Sequence, residues 1–240
     1  MRRLVILPTY NEASNIAVII PRIFKWLPDC AILVVDDASP DGTAEQVEAL
    51  KIRYPELNLL VRKTKSGLGS AYRAGFAWGL ARGFSELIEM DADLSHRVRD
   101  LVKLVSVMDS DPAIDLVIGS RWMAGGSIEN WSIGRELLSR GANRYVQFAL
   151  ALDVKDTTSG FRIYSAGLLK RINLNSIKSE GYSFQIEMTR AARSVGAKIV
   201  EVPITFRERD SGVSKMSKAI VVEAMRLVTV WGMRRAFRRD

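Results

Sequence analysis

Asp91-Ala92-Asp93 places two carboxylates two residues apart, directly after the apolar run Leu87-Ile88-Glu89-Met90. That run reads as a buried strand, and carboxylates at the point where the chain leaves its pleat can converge on one divalent cation. Mg²⁺ and Mn²⁺ prefer oxygen ligands and bridge protein carboxylates to substrate phosphates. The C-terminal edge of a parallel sheet is also where open α/β folds bind ligands. The chemistry suggested is a metal-assisted transfer from a diphosphate-bearing donor. An acidic pair in a solvated turn is the plainer alternative, so the surrounding residues carry the weight.

Several groups gather at other strand ends. Pro8-Thr9-Tyr10-Asn11-Glu12 follows the first apolar run; Tyr10 could stack on a base and Glu12 could accept hydrogen bonds from a ring or ribose. Asp36 and Asp37 end the second run, and turn chemistry explains the Ser39-Pro40-Asp41-Gly42 that follows but not two adjacent carboxylates after an apolar strand. Gly67-Leu68-Gly69 opens a helix, as a phosphate site or as a plain tight turn. It lacks both the dinucleotide fingerprint and Gly-Lys-Ser/Thr, which excludes a Rossmann oxidoreductase and a P-loop enzyme. Arg121 ends the fifth run, and Arg135, Arg140 and Arg144 follow on the next helix. Guanidinium groups match phosphate oxygens bidentately, although a solvated basic face has the same composition. Arg207, Arg209 and Lys215 form a second basic group. His96 is the single histidine. It reads as local structure beside the acidic loop, with too few His and Cys for a zinc site.

Strands are expected at Leu4–Leu7, Ile32–Val35, Leu57–Val61, Glu86–Met90 and Leu116–Gly119, separated by helices ending near Leu27, Tyr54, Gly83 and Met108. This alternation predicts an α/β fold with a mostly parallel sheet covered by helices on both faces. Beyond it lie a helix from Gly134 to Leu152, with Leu137, Leu138, Tyr145, Phe148, Ala149 and Leu152 on its apolar side, and a turn at Thr157–Gly160. A short strand Phe161–Tyr164, a helix Tyr182–Val195, a strand Lys198–Pro203 and a last helix from about Ser217 to Arg235 complete the pattern. No repeat or low-complexity linker divides the chain, which suits one domain.

The chain has 240 residues, a 48% apolar fraction and a net charge of 35 − 27 = +8. A basic balance points to anionic partners. Nucleic acid is set aside because aromatics are not interleaved with the basic residues as stacking platforms require. Cys30, the one cysteine, reads as a small buried hydrophobe. It allows no disulfide framework, which suits a reducing, cytoplasmic setting. No signal peptide and no spanning helix are expected.

Together these residues resemble family 2 glycosyltransferases, specifically the polyprenyl-phosphate (dolichol-phosphate) mannosyltransferases. The matching stretches run from Pro8 to about Ser217: Pro8–Glu12, Val35–Thr43, Gly67–Tyr72, Met90–His96, Gly119-Ser120-Arg121, Asp156–Arg162, Gly181–Met188, Val202-Pro203-Ile204 and Arg209–Lys215. The resemblance implies a GT-A-like fold with a mostly parallel nucleotide-sugar-binding sheet in residues 1–216, followed by a basic amphipathic helix in residues 217–240. It implies a donor of the GDP-mannose kind. Pro8, Tyr10, Glu12, Val35 and Asp37 would hold the nucleoside. Asp91, Ala92 and Asp93 would meet the diphosphate, with Asp91, Asp93 and Ser95 as ligands of Mg²⁺ or Mn²⁺. Ser95 stands where relatives often have Gln. Arg121, Gln185, Arg209 and Lys215 would contact phosphates or sugar, and Ser139 and Arg140 the acceptor's lipid phosphate. Relatives usually continue His with Pro-Pro-Glu, whereas Arg97-Val98-Arg99 stands here, which should alter the next helix start.

The activity so implied is inverting transfer of mannose to a polyprenyl monophosphate, catalysed by Asp91, Asp93 and Arg121 at the cytoplasmic face of a membrane. Ile220, Ala224, Leu227, Val228 and Trp231 recur at helical spacing beside Arg226, Arg234, Arg235, Arg238 and Arg239. That pattern suits a helix lying in an anionic interface, and equally a terminal helix docked on the sheet. A transmembrane partner subunit could supply the anchor instead. Alternative functions are a transferase using UDP-glucose or another donor, and a non-catalytic subunit that binds nucleotide sugar or lipid.

Overall fold

A computed structural model describes residues 1–208 and 218–236. Arg209 and Lys215 lie outside the described residues. The first half alternates strands and helices: β1 (Arg3–Thr9), α1 (Ala13–Trp26), β2 (Cys30–Asp36), α2 (Thr43–Lys51), β3 (Leu57–Val61), α3 (Leu68–Ala81), β4 (Glu86–Glu89), α4 (Val98–Ser110) and β5 (Leu116–Ser120). Then come β6 (Ser127–Glu129), α5 (Ile133–Leu150), β7 (Arg162–Ser165), α6 (Ala166–Arg171), α7 (Gly181–Ser194), β8 (Ile199–Pro203), β9 (Thr205–Arg207) and α8 (Lys218–Ala236). The seven-stranded sheet runs β3-β2-β1-β4-β7-β5-β8.

Leu4, Val5, Ile6 and Leu7 are all buried because a covered parallel sheet needs apolar side chains on both faces. Val5 and Leu7 pack with Ile16, Ile19, Ile20 and Ile23 of α1 and with Leu101 and Leu104 of α4. Leu4 and Ile6 point the other way, onto Tyr72 and Phe76 of α3 and Phe184 and Met188 of α7. Each fully buried aliphatic side chain contributes about 1.5–3 kcal/mol, so this alternation fixes both helical layers to one sheet.

The sheet is mixed, since β7 pairs antiparallel with both β4 and β5. Its position brings Arg162 beside Glu89 and Ile118, directly under the acidic loop. The short elements β6, β9 and α6 extend the pattern read from the sequence. β6 and β9 form a separate parallel pair, and a bridge from His96 to Phe206 joins β9 to the loop after β4. α4 starts at Val98, with Arg97 paired to Glu129 of β6. Asp100 in its first turn accepts a hydrogen bond from the Thr205 backbone (3.1 Å).

α5 does not turn its expected apolar side inward. Its buried face is Asn143, Val146 and Leu150, while Leu137, Leu138 and Phe148 are exposed. α8 supplies the cover. Ala224 and Val228 are buried, and Val228 packs with Val146, Leu150, Leu152 and Ile186. Ala224, Val228 and Trp231 of the last helix's apolar stripe are therefore docked on the body, and the Ile220 side chain lies outside the described residues. Among the described residues no helix is long and apolar enough to cross a membrane.

Candidate active site

The C-terminal ends of β1, β2, β4 and β5 open into a cavity of about 370 Å³. Asn11, Ala38 and Leu94, just beyond β1, β2 and β4, all adopt positive φ. These left-handed residues turn each loop sharply away from its strand. Pro8, Tyr10, Glu12, Asp37, Asp91, Ala92, Asp93, Arg121 and Gln185 line this one cavity, as the sequence suggests. Val35 does not; it is buried in the core beneath. Ser95 is buried behind Asp93, and its backbone N–H donates to Asp93 Oδ1 (3.0 Å).

At the Tyr10 end of the cavity, Asp36 and Asp37 divide the work. Asp36 is fully buried and builds the turn, accepting from the Thr9 hydroxyl (2.8 Å) and the Ser39 backbone (2.9 Å). Asp37 faces the cavity, paired with Arg62 and accepting from the Ser66 backbone (3.0 Å). Arg62 also donates to Ser70 Oγ (2.7 Å) and to the Gly67 carbonyl (3.2 Å), which fastens the 62–70 loop to β2. The Lys65 ammonium lies over the Tyr10 ring at 3.8 Å from its centroid, a cation–π contact on the face expected to meet a base. The glycine turn borders the cavity through Gly67 and Leu68 and already carries an acid. Glu180 occupies the α3 N-terminus, accepting from the Ser70 backbone (3.2 Å) and pairing with Arg73 (3.1 Å).

At the acidic loop, the Tyr72 hydroxyl donates to Asp91 Oδ1 (3.4 Å) and His96 Nε2 stands 3.6 Å from Asp91 Oδ2. His96 stacks near Phe161 (4.8 Å) and meets the Phe206 ring edge-on (5.4 Å). Glu89, just below, is fully buried; burial pushes its carboxyl up to about 8, with Arg162 pulling the other way. Arg162 is itself fully buried and donates to the carbonyls of Ser159 (2.6 Å), Thr157 (2.8 Å) and Gln185 (3.2 Å). It ties the 157–160 loop and α7 together under the site.

On the opposite wall Asp156 grips Arg121 bidentately, at 2.7 Å to both Nε and Nη2, and accepts from its backbone at 3.0 Å. Burial alone would raise Asp156, but the Arg121 charge and hydrogen bonds hold it below the usual carboxylate range. Arg121 is raised in return, although burial opposes that. Its guanidinium lies among the rings of Trp122, Trp131 and Phe206, at 5.4–5.7 Å. Arg135 lines the cavity, stacked on Trp131 at 4.2 Å and paired with Glu208. Arg140 does not line it; it pairs with Glu136 (2.8 Å) and covers Trp122 (4.5 Å). Ser139 borders a smaller adjoining hollow with Arg121, Leu138 and Ile186.

Among the described residues, the buried side-chain polar atoms without partners belong to Glu89, Ser95, His96, Ser120, Trp122, Trp131, Arg135 and Gln185. All line the cavity or stand within two residues of Asp91, Asp93 or Arg121. Buried polar atoms are normally satisfied, so this concentration fits a site that binds polar ligand. No cluster of three or more His, Cys, Asp or Glu suited to a metal occurs among the described residues. Two carboxylates with phosphate oxygens completing the shell fit Mg²⁺ or Mn²⁺ better than an all-protein cage.

The model of glycosyl transferase family 2 matches residues 4–172. The chain belongs to this family. It is thus a glycosyltransferase, on a GT-A fold. It is 47% identical to the polyprenol monophosphomannose synthase of Mycolicibacterium smegmatis, over 97% of this chain and 88% of that one. It is 46% identical to the undecaprenyl-phosphate mannosyltransferase of Micrococcus luteus, over 97% of this chain and 95% of that one. Glucosyl-3-phosphoglycerate synthase from Mycobacterium tuberculosis, in crystals with Mn²⁺, UDP and glucosyl-3-phosphoglycerate, shares the fold. The TM-score is 0.73 at 19% identity, covering 97% of this chain and 80% of that one.

Several lining residues of this glycosyltransferase carry no local sequence signal for a site: Lys65, Trp131, Phe206 and Glu208. Asp156 and Arg162 stand inside the family's Asp156–Arg162 stretch, and only their burial reveals what each one holds.

Proposed function

We propose that this glycosyltransferase transfers mannose from GDP-mannose to the phosphate of a polyprenyl monophosphate, with inversion, releasing GDP. One observation supports this reading above others: the acidic loop faces two arginines, Arg121 and Arg135, across a single cavity. That arrangement suits two anionic substrates meeting at one sugar. The names of the relatives at 46–47% identity agree with it.

Pro8, Tyr10, Glu12 and Asp37 hold the nucleoside, and Lys65 leaves the Tyr10 face when a base stacks there. Asp91 and Asp93 would hold a divalent cation, Mg²⁺ or Mn²⁺, which would supply charge neutralisation for the departing diphosphate. Arg121, fixed by Asp156, and Arg135, backed by Trp131, bind the acceptor phosphate and oppose the repulsion between two anions. Ser139 flanks the same approach. The acceptor needs no strong base, since a phosphate monoester with a second pKa of about 6 arrives ionised. His96, packed between Phe161 and Phe206, is accordingly not assigned proton transfer. The enzyme works peripherally at the cytoplasmic face of the membrane, alone or beside a transmembrane partner.

The test is transfer of radiolabelled mannose from GDP-mannose into a polyprenyl phosphate, with Mg²⁺ or Mn²⁺ and with EDTA. Metal-dependent label in the lipid phase is expected, together with its loss in Asp93→Ala. Full turnover by Asp93→Ala in metal-free buffer would end the metal assignment. Label carried only from UDP-glucose would move the donor to glucose, and silence with every donor would favour a non-catalytic binding subunit.

A further inference from the structure

Ala224, Val228 and Trp231 of α8 are consumed by packing, and the apolar surface left over is on α5. At 100° per residue, Ile133, Leu137, Leu138, Tyr145 and Phe148 fall within an arc of about 140°. All five are exposed, with Phe148 at 87% and Ile133 at 78%. Gly134 and Gly141 share the arc, and a Cβ at either would meet nothing within 4 Å. No element of the described protein covers this face. The Tyr145 hydroxyl bonds Thr229 of α8 (2.6 Å), so the surface continues onto the side of α8 that exposes Val222 and Met233.

We infer that this arc of α5 is a bilayer-contact surface, seated in the headgroup–acyl boundary of an anionic membrane. Two features favour lipid over a protein partner. First, exposed arginines accompany the strip: on α5, Arg140 just outside the arc and Arg144 just within its Ile133 edge, and on α8, Arg226 and Arg234. α5 itself carries three arginines against one acid, Glu136. A cationic rim around an apolar strip is the pattern of an interfacial helix. Second, the strip ends at the active site. Leu138 borders the hollow that Arg121 and Ser139 also border. This second feature rests on the proposed lipid-phosphate acceptor: a headgroup delivered there leaves its chain on the α5 side, in the membrane on which the protein sits.

The test is co-sedimentation of the full chain with vesicles of phosphatidylcholine and phosphatidylglycerol, without nucleotide sugar. The double variant Leu137→Glu/Phe148→Glu should bind more than about tenfold more weakly, because two inserted apolar side chains are replaced by anions. Its melting temperature should be unchanged, since both residues are exposed. In a Phe148→Trp variant, brominated acyl chains should quench the new indole beyond the quenching seen in the native protein. Wild-type binding by the double variant, or a new indole that the brominated chains leave unquenched, would overturn the inference. So would a dimer in sedimentation equilibrium that the double variant dissociates, because a second copy would then cover the face. Transfer to a short, water-soluble prenyl phosphate should be the same for native and double-variant protein. If no acceptor is mannosylated while vesicle binding behaves as described, the assigned reaction fails and the surface stands.

Discussion

A buried guanidinium is costly unless its charge is met, and Asp156 meets Arg121 through both carboxylate oxygens. Asp156→Asn should therefore destabilise the fold by about 3–5 kcal/mol, the usual cost of leaving a buried charge alone, seen as a lower denaturation midpoint. Because the folded carboxyl is held below its ordinary value of 3.8, its contribution is present above that value and lost as pH falls through the depressed one. The gap between native and variant protein should stay flat from about pH 5 to 8 and close only in acid. Arg135 and Arg140 invite a second test. Arg135→Ala removes a cavity-lining cation and should raise KM for the lipid phosphate about tenfold or more, whereas Arg140→Ala should leave it nearly unchanged. The sequence showed four arginines around this helix but not which faces inward. That depends on how Val146 and Leu150 seat α5 against α8, information spread over about 80 residues. Asp91 and Asp93 were legible because strand, strand end and carboxylate all lie within seven residues. Asp156 and Arg121 are 35 apart, and nothing local joins them.

Parallel strands announced themselves through continuous apolar runs, and the helix over Gly134–Leu152 through its periodicity. β7 could be read as a strand but not as an antiparallel one, since Arg-Ile-Tyr-Ser holds no directional signal and its neighbours β4 and β5 are distant in sequence. β6 and β9 are three residues each, too short for any period to show. α3 shows a subtler device. A Cβ at Gly75 would lie 2.6 Å from Ile6, and one at Gly79 2.7 Å from Leu4 and from Leu87. These two glycines, one turn apart, let the helix lie close on β1 and β4. Alanine is the better helix former by about 1 kcal/mol, yet overpacking a tight core costs about 1–3 kcal/mol. Gly75→Ala should therefore lower the urea midpoint. A rise would mean that Ile6 can yield and that helix propensity wins.

At the scale of the whole molecule, the net charge of +8 has two destinations. Part of it lines the cavity at Arg121 and Arg135, and part rims the outer faces of α5 and α8. A detachable anchor and a docked helix share one sequence pattern, because both need an apolar stripe at helical spacing. The difference lies in whether the body offers a matching surface. Here Val146, Leu150, Leu152 and Ile186 offer it, and Val228 is fully buried against them. Arg190 adds a stacking contact with Trp231 (4.9 Å). A chain ended after Ser217 would uncover that cluster, losing about 2–5 kcal/mol by analogy with large-to-small core substitutions. Its melting temperature should fall without any membrane present, and apolar-dye binding should rise as the cluster meets water. An anchor that merely trailed from the domain would leave both readings unchanged. The two arms of this comparison separate stability from lipid contact: truncation acts on the fold, while charge on the exposed arc of α5 acts on the membrane alone.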